Sequence, residues 1–267
     1  MRELKYRSDA GFLRALFWEG TTDDAPLLVD IHGVGFCLGS ADGDIGLCEQ
    51  LVRETGCAAA ALDYRLAPKH PYPAAIDDCR ALLLAIKDDP ALRFDRKRIF
   101  VMGHSAGGAL AALVARGSGE IAGVILNYPW LEIADNRRKY LPASFPKFML
   151  DRFARQYCRD KAQRASAGVS PVRMSKADAA AFPPTLILTG GSDSLRTDGI
   201  RFYELLRSAG AVVRRIEYPA ARHAFIETVS SGQMGKNFYT SDRAAKEQID
   251  CYERAVQEIK NWIRGVR

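Results

Sequence analysis

A serine between two glycines carries the strongest chemical signal in this sequence. Ser105 lies in the pentapeptide GHSAG, between Gly103 and Gly107, after an apolar run at 98–102 and before an alanine-rich pattern at 106–116. A sharp turn from a strand into a helix strains the backbone of a nucleophile and leaves no room for side chains beside it, which accounts for both glycines. The pattern predicts a nucleophile elbow, and the alternative is a serine that caps the helix.

A serine hydroxyl is a poor nucleophile at neutral pH, so it needs a base and a carboxylate that orients the base. Among the four histidines, His223 is the one that lies late in the chain, just beyond a strand pattern, although a lone histidine often has a structural role. Asp193 follows the predicted strand 185–189 and should emerge at the carboxyl edge of the sheet. Asp198 is its competitor, but it lies in the first turn of the next helix, where acidic residues are common. We therefore predict a triad of Ser105, Asp193 and His223.

The loop after the first long apolar strand could bind the oxyanion that forms on an attacked ester. It contains His32, Gly33, Val34 and Gly35, and its glycines let the backbone bend its amides toward the serine. The N–H of Ala106, next to the nucleophile, would be a further donor. A glycine-rich phosphate loop is the alternative, but the sequence has neither the dinucleotide fingerprint nor a P-loop ending in Lys-Ser/Thr.

Short apolar runs rich in β-branched residues alternate with longer helical patterns, which predicts parallel strands joined by crossover helices. The predicted strands are 26–31, 57–63, 98–102, 121–127, 185–189 and 212–218, preceded by a weaker pair at 4–7 and 12–18. The predicted helices are 43–55, 74–87, 106–116, 197–209 and 242–263. Strands this continuously apolar indicate a sheet that is covered on both faces. A length of 267 residues suits one such domain, so we expect a single α/β domain over residues 1–267.

The segment 131–182 separates two of the predicted strands by far more residues than an ordinary α/β connection contains. We expect this segment to be an insertion that forms a cap. Its aromatic side chains, among them Tyr140, Phe145, Phe153 and Tyr157, recur at helical intervals. They could line a pocket, or they could form the apolar face of a helix packed on the body of the domain.

The composition argues against several other classes of protein. Hydrophobic residues make up 48% and charged residues 26%, an ordinary globular balance. The basic residues behind the net charge of +6 are spread thinly, so no nucleic-acid partner is expected. No run of about 18 apolar residues occurs, so no membrane insertion is expected. Six well-separated cysteines and an N-terminus without an apolar signal segment predict reduced thiols, no zinc site and a cytoplasmic location.

Together these segments resemble the hormone-sensitive-lipase-like branch of the α/β hydrolases, the bacterial carboxylesterases and acetylesterases. The resemblance spans roughly residues 25–228 and includes the sequences DYRLAP from Asp63, YPAAIDD from Tyr72 and GGSDSL from Gly190. It implies the α/β-hydrolase fold, with a mostly parallel central sheet flanked by helices. It also implies the triad named above.

The resemblance implies that Val34, Gly35 and Ala106 donate their N–H groups to the oxyanion. Val34 is a departure, because the family usually has a second glycine there. Ser194 and Ala224 stand where relatives often have proline and glycine. Relatives also carry an extra helical cap before the oxyanion loop, and this sequence leaves room for little beyond two strands. We therefore expect a reduced N-terminal cap and an open site suited to short acyl chains.

These observations predict a serine carboxylesterase that hydrolyses short-acyl esters through an acyl-serine intermediate, without a cofactor or a metal. One alternative is an amidase or formamidase with the same triad. The other is a non-catalytic ligand-binding protein on this scaffold, although such proteins commonly lack the catalytic histidine. The expected partners are a small-molecule ester and, from the resemblance alone, a second copy of the chain paired through strand 212–218.

Overall fold

The computed structural model describes residues 1–8, 11–135, 147–232 and 242–266. Within these residues the strands are β1 (Arg2–Ser8), β2 (Gly11–Trp18), β3 (Pro26–Ile31), β4 (Ala58–Leu62), β5 (Asp95–His104), β6 (Ile121–Asn127), β7 (Thr185–Ser192) and β8 (Val213–Arg222). They form one sheet in the order β1-β2-β4-β3-β5-β6-β7-β8. β1 and β2 pair antiparallel, as do β2 and β4, and every later neighbour pairs parallel. The predicted fold class, an α/β-hydrolase fold with a mostly parallel sheet, is confirmed.

Helices cover both faces of this sheet. The described helices are α1 (Ile45–Thr55), α2 (Ala74–Asp88), α3 (Ala106–Ala115), α4 (Lys147–Tyr157), α5 (Lys161–Arg164), α6 (Lys176–Ala180), α7 (Arg196–Ser208), α8 (Phe225–Ser230) and α9 (Asp242–Gly265), with 3-10 turns at Ala41–Asp44 and Pro171–Arg173. α1 ends where Gly56 adopts a left-handed conformation (φ 77°) that glycine reaches without strain. None of these described helices is long and apolar enough to cross a bilayer.

The core lies in two layers, one on each side of the sheet. Leu27 and Val29 of β3 face the layer beneath α2 and α3, whereas Leu28 faces the layer beneath α1 and α9. This alternation follows from the two-residue period of a strand, and it explains why the strands are apolar throughout. All six cysteines are buried and unpaired.

The strands that carry the site end later than the sequence predicted. β5 extends to His104, β7 to Ser192 and β8 to Arg222, so each leads directly into a candidate catalytic residue. The predicted strands ended at or next to their last apolar residue, whereas the pairing in the structure continues through glycine and polar residues. α8 was not predicted, and it follows His223 within two residues.

The segment 131–182 contains α4, α5 and α6, and its residues 136–146 lie outside the described residues. Tyr140 and Phe145 therefore lie outside them as well. Tyr157 packs on the body of the domain, since it is buried and stacks on Phe36 with ring centroids 3.8 Å apart. Phe153 is also buried. Tyr157 therefore fits the interpretation of a helix packed on the domain. Phe153 also fits the interpretation of a pocket lining, because it borders the cavity described below.

Candidate active site

Ser105 occupies the sharp turn between β5 and α3. Its backbone has φ 52° and ψ −113°, a conformation that costs energy in a residue with a side chain. Gly107 is required by the close approach of β3, because a Cβ at this position would collide with the carbonyl oxygens of Ile31 and His32. The turn therefore presents the serine hydroxyl at the carboxyl edge of the sheet, where ligand sites of open α/β sheets form.

His223 and Asp193 lie in line with this hydroxyl. Nε2 of His223 is 2.9 Å from Oγ of Ser105, and its Nδ1 is 2.9 Å from Oδ2 of Asp193. Asp193 is fully buried, and its Oδ1 accepts the N–H of Leu195 at 2.8 Å. The imidazole is 12% exposed. The structure thus brings the three predicted residues together in an arrangement that can pass a proton from a hydroxyl to an imidazole.

The end of β8 is held in place from α9. The side chain of Gln248 donates to the carbonyl of Ala220 at 2.8 Å and accepts the N–H of Arg222 at 3.0 Å. His223 follows directly, and Ala224 then adopts a left-handed backbone (φ 61°) at the position where the resemblance expects glycine. This tight turn leads the chain from the imidazole into α8.

Asp198, the competitor of Asp193, lies elsewhere. Its Oδ2 accepts the N–H groups of Leu131 and Glu132, at 2.9 and 2.8 Å. It therefore anchors the first residues of the segment 131–182 to the start of α7. Neither of these two hydrogen bonds involves the imidazole of His223.

The predicted oxyanion loop is fixed from below by Tyr64. Its hydroxyl donates to the carbonyls of His32 and Gly33, at 3.0 and 3.2 Å, and its ring stacks on the imidazole of His32 at 4.2 Å. Burial lowers the pKa of His32 to about 4, so this imidazole is neutral near pH 7. Val34 has a left-handed backbone (φ 67°), which is strained for a β-branched residue and explains why the resemblance expects glycine there.

A cavity of about 400 Å³ lies beside Ser105 and His223. Val34 and Gly35 line it, and Ala106 is the first residue of α3, so its N–H has no partner within the helix. Part of the lining is apolar, and we refer to Val34, Trp130, Leu150 and Phe153 as the apolar wall. Another part contains two carboxyl groups, and we refer to Asp44, Glu227, Thr228 and Ser231 as the acidic wall.

A second histidine–aspartate pair lies behind the acidic wall. Nε2 of His104 is 3.0 Å from Oδ1 of Asp30, and both side chains are fully buried. Asp44 completes a group whose ligand atoms lie within 4.8 Å of one another, the kind of set that could hold a metal ion. Burial raises the pKa of Asp30 to about 7 and that of Asp44 well above its usual value. Hydrogen bonds between protonated and ionised carboxyl groups also explain why these groups lie so close together without a metal ion.

Two kinds of residue at the site were not identified from the sequence. Tyr64 was quoted within a motif, but its role in holding the oxyanion loop follows only from its contacts. Asp44 and Glu227 come from separate segments, and no local pattern links them. Asp44 follows the predicted oxyanion loop and Glu227 follows His223 in the sequence. Only this nearness in the sequence could have indicated that they belong to the site.

A sheet of this order, a strained serine after β5, and an acid and a histidine after the last two strands define the class of α/β hydrolases. The profile of the α/β-hydrolase fold family matches residues 28–227, and the chain belongs to the hormone-sensitive-lipase-like family within that class.

Named relatives agree with this assignment. Esterase LipI of Mycobacterium tuberculosis is 32% identical over 225 residues, which are 79% of this chain and 70% of the relative. Ethyl acetate hydrolase of Pseudomonas putida is 31% identical over 211 residues, 74% of this chain and 65% of the relative. The structure of an esterase from Pyrobaculum calidifontis superposes with a TM-score of 0.83 at 26% identity, covering all of this chain and 85% of that one. The chain thus spans about two thirds of these two curated relatives.

Proposed function

We propose that the protein is a serine carboxylesterase that hydrolyses short-acyl esters through an acyl-serine intermediate. Its membership of a family whose named relatives are esterases supports ester hydrolysis in general. The observation that carries the mechanism is the continuous line of hydrogen-bonding distances from Ser105 through His223 to Asp193.

In the first half of the reaction, His223 takes the proton of Ser105 as the hydroxyl oxygen bonds to the ester carbonyl carbon. Buried Asp193 keeps the imidazole oriented and stabilises its positive charge. His223 then gives the proton to the alcohol oxygen as the ester bond breaks. Water attacks the acyl-serine in the second half, with the same histidine as base, and releases the acid.

The oxyanion that forms in both halves needs donors that are already in position. We assign this role to the N–H groups of Val34, Gly35 and Ala106, which border the same cavity as the serine. A single donor of this kind lowers the barrier by roughly 3 kcal/mol. Tyr64 holds the loop so that its amides need not reorganise during the reaction.

The short-acyl preference rests on the apolar wall. Phe153 lies against Gly35, where even a Cβ would meet its ring, and Val34, which is 48% exposed, lines the same cavity. These side chains border the part of the cavity next to the oxyanion loop, where the acyl group would lie. Ethyl acetate hydrolase, named for an ester with a two-carbon acyl group, is among the relatives.

Four further expectations belong to this proposal. Residues 1–267 form a single domain in which 131–182 is a cap insertion. A homodimer would pair through β8, which lies at the edge of the sheet. A small-molecule ester is the substrate, with no cofactor. The cytoplasmic location is supported by six buried, unpaired cysteines.

The proposal is tested by Ser105→Ala, with Ser118→Ala in the turn after α3 as the matched control. We expect Ser105→Ala to lower kcat for p-nitrophenyl acetate by about 10⁴-fold or more and to abolish labelling by a fluorophosphonate probe. Ser118→Ala should retain both. Turnover that persists in folded Ser105→Ala, checked by circular dichroism, would contradict the mechanism. Faster cleavage of N-formyl aromatic amines than of acyl esters would instead identify a formamidase.

A further inference from the structure

The acidic wall is unusual in a chain with a net charge of +6. Of the described residues that line the cavity, none is lysine or arginine, although both Asp44 and Glu227 are among them. A cavity that must accept an uncharged ester has no general need for two carboxyl groups beside the nucleophile, since buried carboxyl groups without a countercharge carry a desolvation cost.

Glu227 is the more accessible of the two. Its side chain is 22% exposed, and Glu227 is one of the residues that line the cavity. Its Oε2 accepts the hydroxyl of Tyr128, and its Oε1 is 3.7 Å from Nδ1 of His104. These two contacts hold the carboxyl group in one position at the wall of the cavity.

Asp44 lies behind it and is 2% exposed. Its carboxyl group hydrogen-bonds to that of Asp30 nearby, and burial raises the pKa of Asp44 well above its usual value, which favours its protonated form. The negative charge that the acidic wall can present to a ligand therefore comes from Glu227. A cation bound in the cavity beside Glu227 would supply the positive charge that the described lining lacks.

The position of His223 indicates which half of the ester meets this wall. In the acylation step its Nε2 must reach the leaving alcohol oxygen, so the alcohol half lies on the side of the imidazole. Glu227 lies in α8, four residues after His223, and both residues line the cavity. Tyr128, which donates to Glu227, packs edge-on against the His223 ring at 5.3 Å.

We propose that the acidic wall binds a positively charged nitrogen in the alcohol half of the substrate, so that the preferred substrates are esters of amino alcohols. This inference rests on the proposed esterase mechanism and adds the class of substrate. The apolar wall then takes the short acyl group. Burial raises the pKa of Glu227 to about 7, and a bound cation would favour its ionised form.

The test compares acetylcholine with 3,3-dimethylbutyl acetate, its neutral counterpart in which carbon replaces the nitrogen. The two esters have the same shape and the same acyl group, so the ratio of their kcat/KM values reports the charge. Because the cationic alcohol is also a better leaving group, this ratio is compared between the wild type and Glu227→Gln. We expect the variant to lower the ratio by about tenfold, typical of the loss of a close charge pair.

Glu49→Gln is the matched control. Glu49 is exposed on α1 and does not line the cavity, so this variant removes the same charge from a different place. The ratio should stay at the wild-type value. An equal fall in both variants would show a long-range effect of net charge and overturn the proposal, as would an unchanged ratio in Glu227→Gln.

The pH dependence of the ratio gives a second readout. Glu227 faces Tyr128 after β6, His104 of β5, Asp44 before α1 and Asp30 of β3, and its carboxyl group, with its pKa raised to about 7, loses its proton near that pH. The wild-type ratio should therefore rise between about pH 6 and pH 8. A pH effect on the chemical steps that both esters share cancels in the ratio. A flat wild-type profile would count against Glu227 as the binding group.

Inhibition by tetramethylammonium ion keeps the proposal testable if Glu227→Gln fails to fold. In the wild type we expect this ion to inhibit p-nitrophenyl acetate hydrolysis competitively, and at least about tenfold more strongly than tert-butanol does. Equal inhibition by the two would overturn the proposal. If hydrolysis depends on Ser105 but shows no charge preference, only this inference fails; if hydrolysis persists without Ser105, the proposed mechanism fails.

A matched pair of acyl-side esters tests the assignment to the alcohol half. Ethyl trimethylglycinate carries the cation in its acyl group, and ethyl 3,3-dimethylbutanoate is its neutral counterpart. We expect no Glu227-dependent preference within this pair. A preference that appears here and not with acetylcholine would place the cation on the acyl side and overturn the assignment.

Discussion

The molecule contains two histidine–aspartate pairs at nearly the same distance, and only one of them meets a nucleophile within the described residues. His223 and Asp193 are 2.9 Å apart, and His104 and Asp30 are 3.0 Å apart. The second ring nitrogen of His223 faces the hydroxyl of Ser105. That of His104 faces the side chains of Asn127 and Tyr128, at 3.2 and 3.4 Å.

The difference lies in what surrounds each imidazole. His223 is partly exposed at the cavity, whereas His104 is fully buried although it precedes Ser105 in the chain. A strand alternates its side chains between two faces, so the residue beside the nucleophile points away from it. A histidine–carboxylate pair is therefore not sufficient for general-base catalysis, which also needs access to the substrate and to a hydroxyl.

The largest contrast should appear when the same change is made in each pair. Asp193→Asn should lower kcat for p-nitrophenyl acetate by about 10⁴-fold, because the amide no longer holds the imidazole in its working form. Asp30→Asn should change kcat by less than about tenfold, since its histidine does not reach the substrate. Steady-state kinetics of both purified variants decide the matter. Losses of equal size would mean that the buried pair takes part in catalysis.

For the free energy of unfolding, we expect the larger effect from the substitution at Asp30. The pKa of Asp30 is raised to about 7 in the folded chain, so its carboxyl group holds its proton there while the unfolded chain loses it at its ordinary value near 3.8. The free energy of unfolding of the wild type therefore falls as the pH rises from about 4 to about 7. The amide introduced by Asp30→Asn does not titrate, so the variant should gain on the order of 3 kcal/mol relative to the wild type over that range.

Urea unfolding of the wild type and Asp30→Asn at about pH 4.5 and pH 8 measures this effect. Asp193→Asn serves as the comparison. A pH-independent difference between the wild type and Asp30→Asn would show that Asp30 is ionised in the folded chain, with a cation beside it.

A smaller effect should follow from Tyr128→Phe, which removes the hydroxyl between the two pairs and keeps the ring that packs against His223. Loss of its hydrogen bond to Glu227 should cost about 1 kcal/mol of stability, measured by urea unfolding. We expect kcat for p-nitrophenyl acetate to keep its order of magnitude. A fall comparable with that of Asp193→Asn would show that the two pairs are coupled through this hydroxyl.

The fold could be predicted from the sequence because its signals are local, and signals of the same kind led to the proposed triad. The elbow around Ser105 is contiguous, and Asp193 and His223 each follow an apolar strand, so parallel pairing predicts that they meet at one edge. The structure places them within hydrogen-bonding distance, as that argument requires.

The second pair and the acidic wall have no local signature. Asp30 lies inside an apolar strand, Asp44 in a short 3-10 turn, and Glu227 in a helix that was not predicted. Their proximity depends on the register of β3 with β5 and on how α8 packs, which are long-range properties. The strain at Val34 could not be predicted either, because the sequence shows that a glycine is missing there but not that the φ angle of Val34 is positive.

The hydrogen bonds of Asp198 limit how the segment 131–182 can vary. One carboxylate ties the first residues of this segment to the helix that begins just after the proposed catalytic acid. Tyr157, Val172 and Phe182, later in the same segment, are buried in the main core. A redesigned segment should therefore retain Leu131, Glu132 and Asp198, which fix where it starts, and the buried residues that fix where it packs.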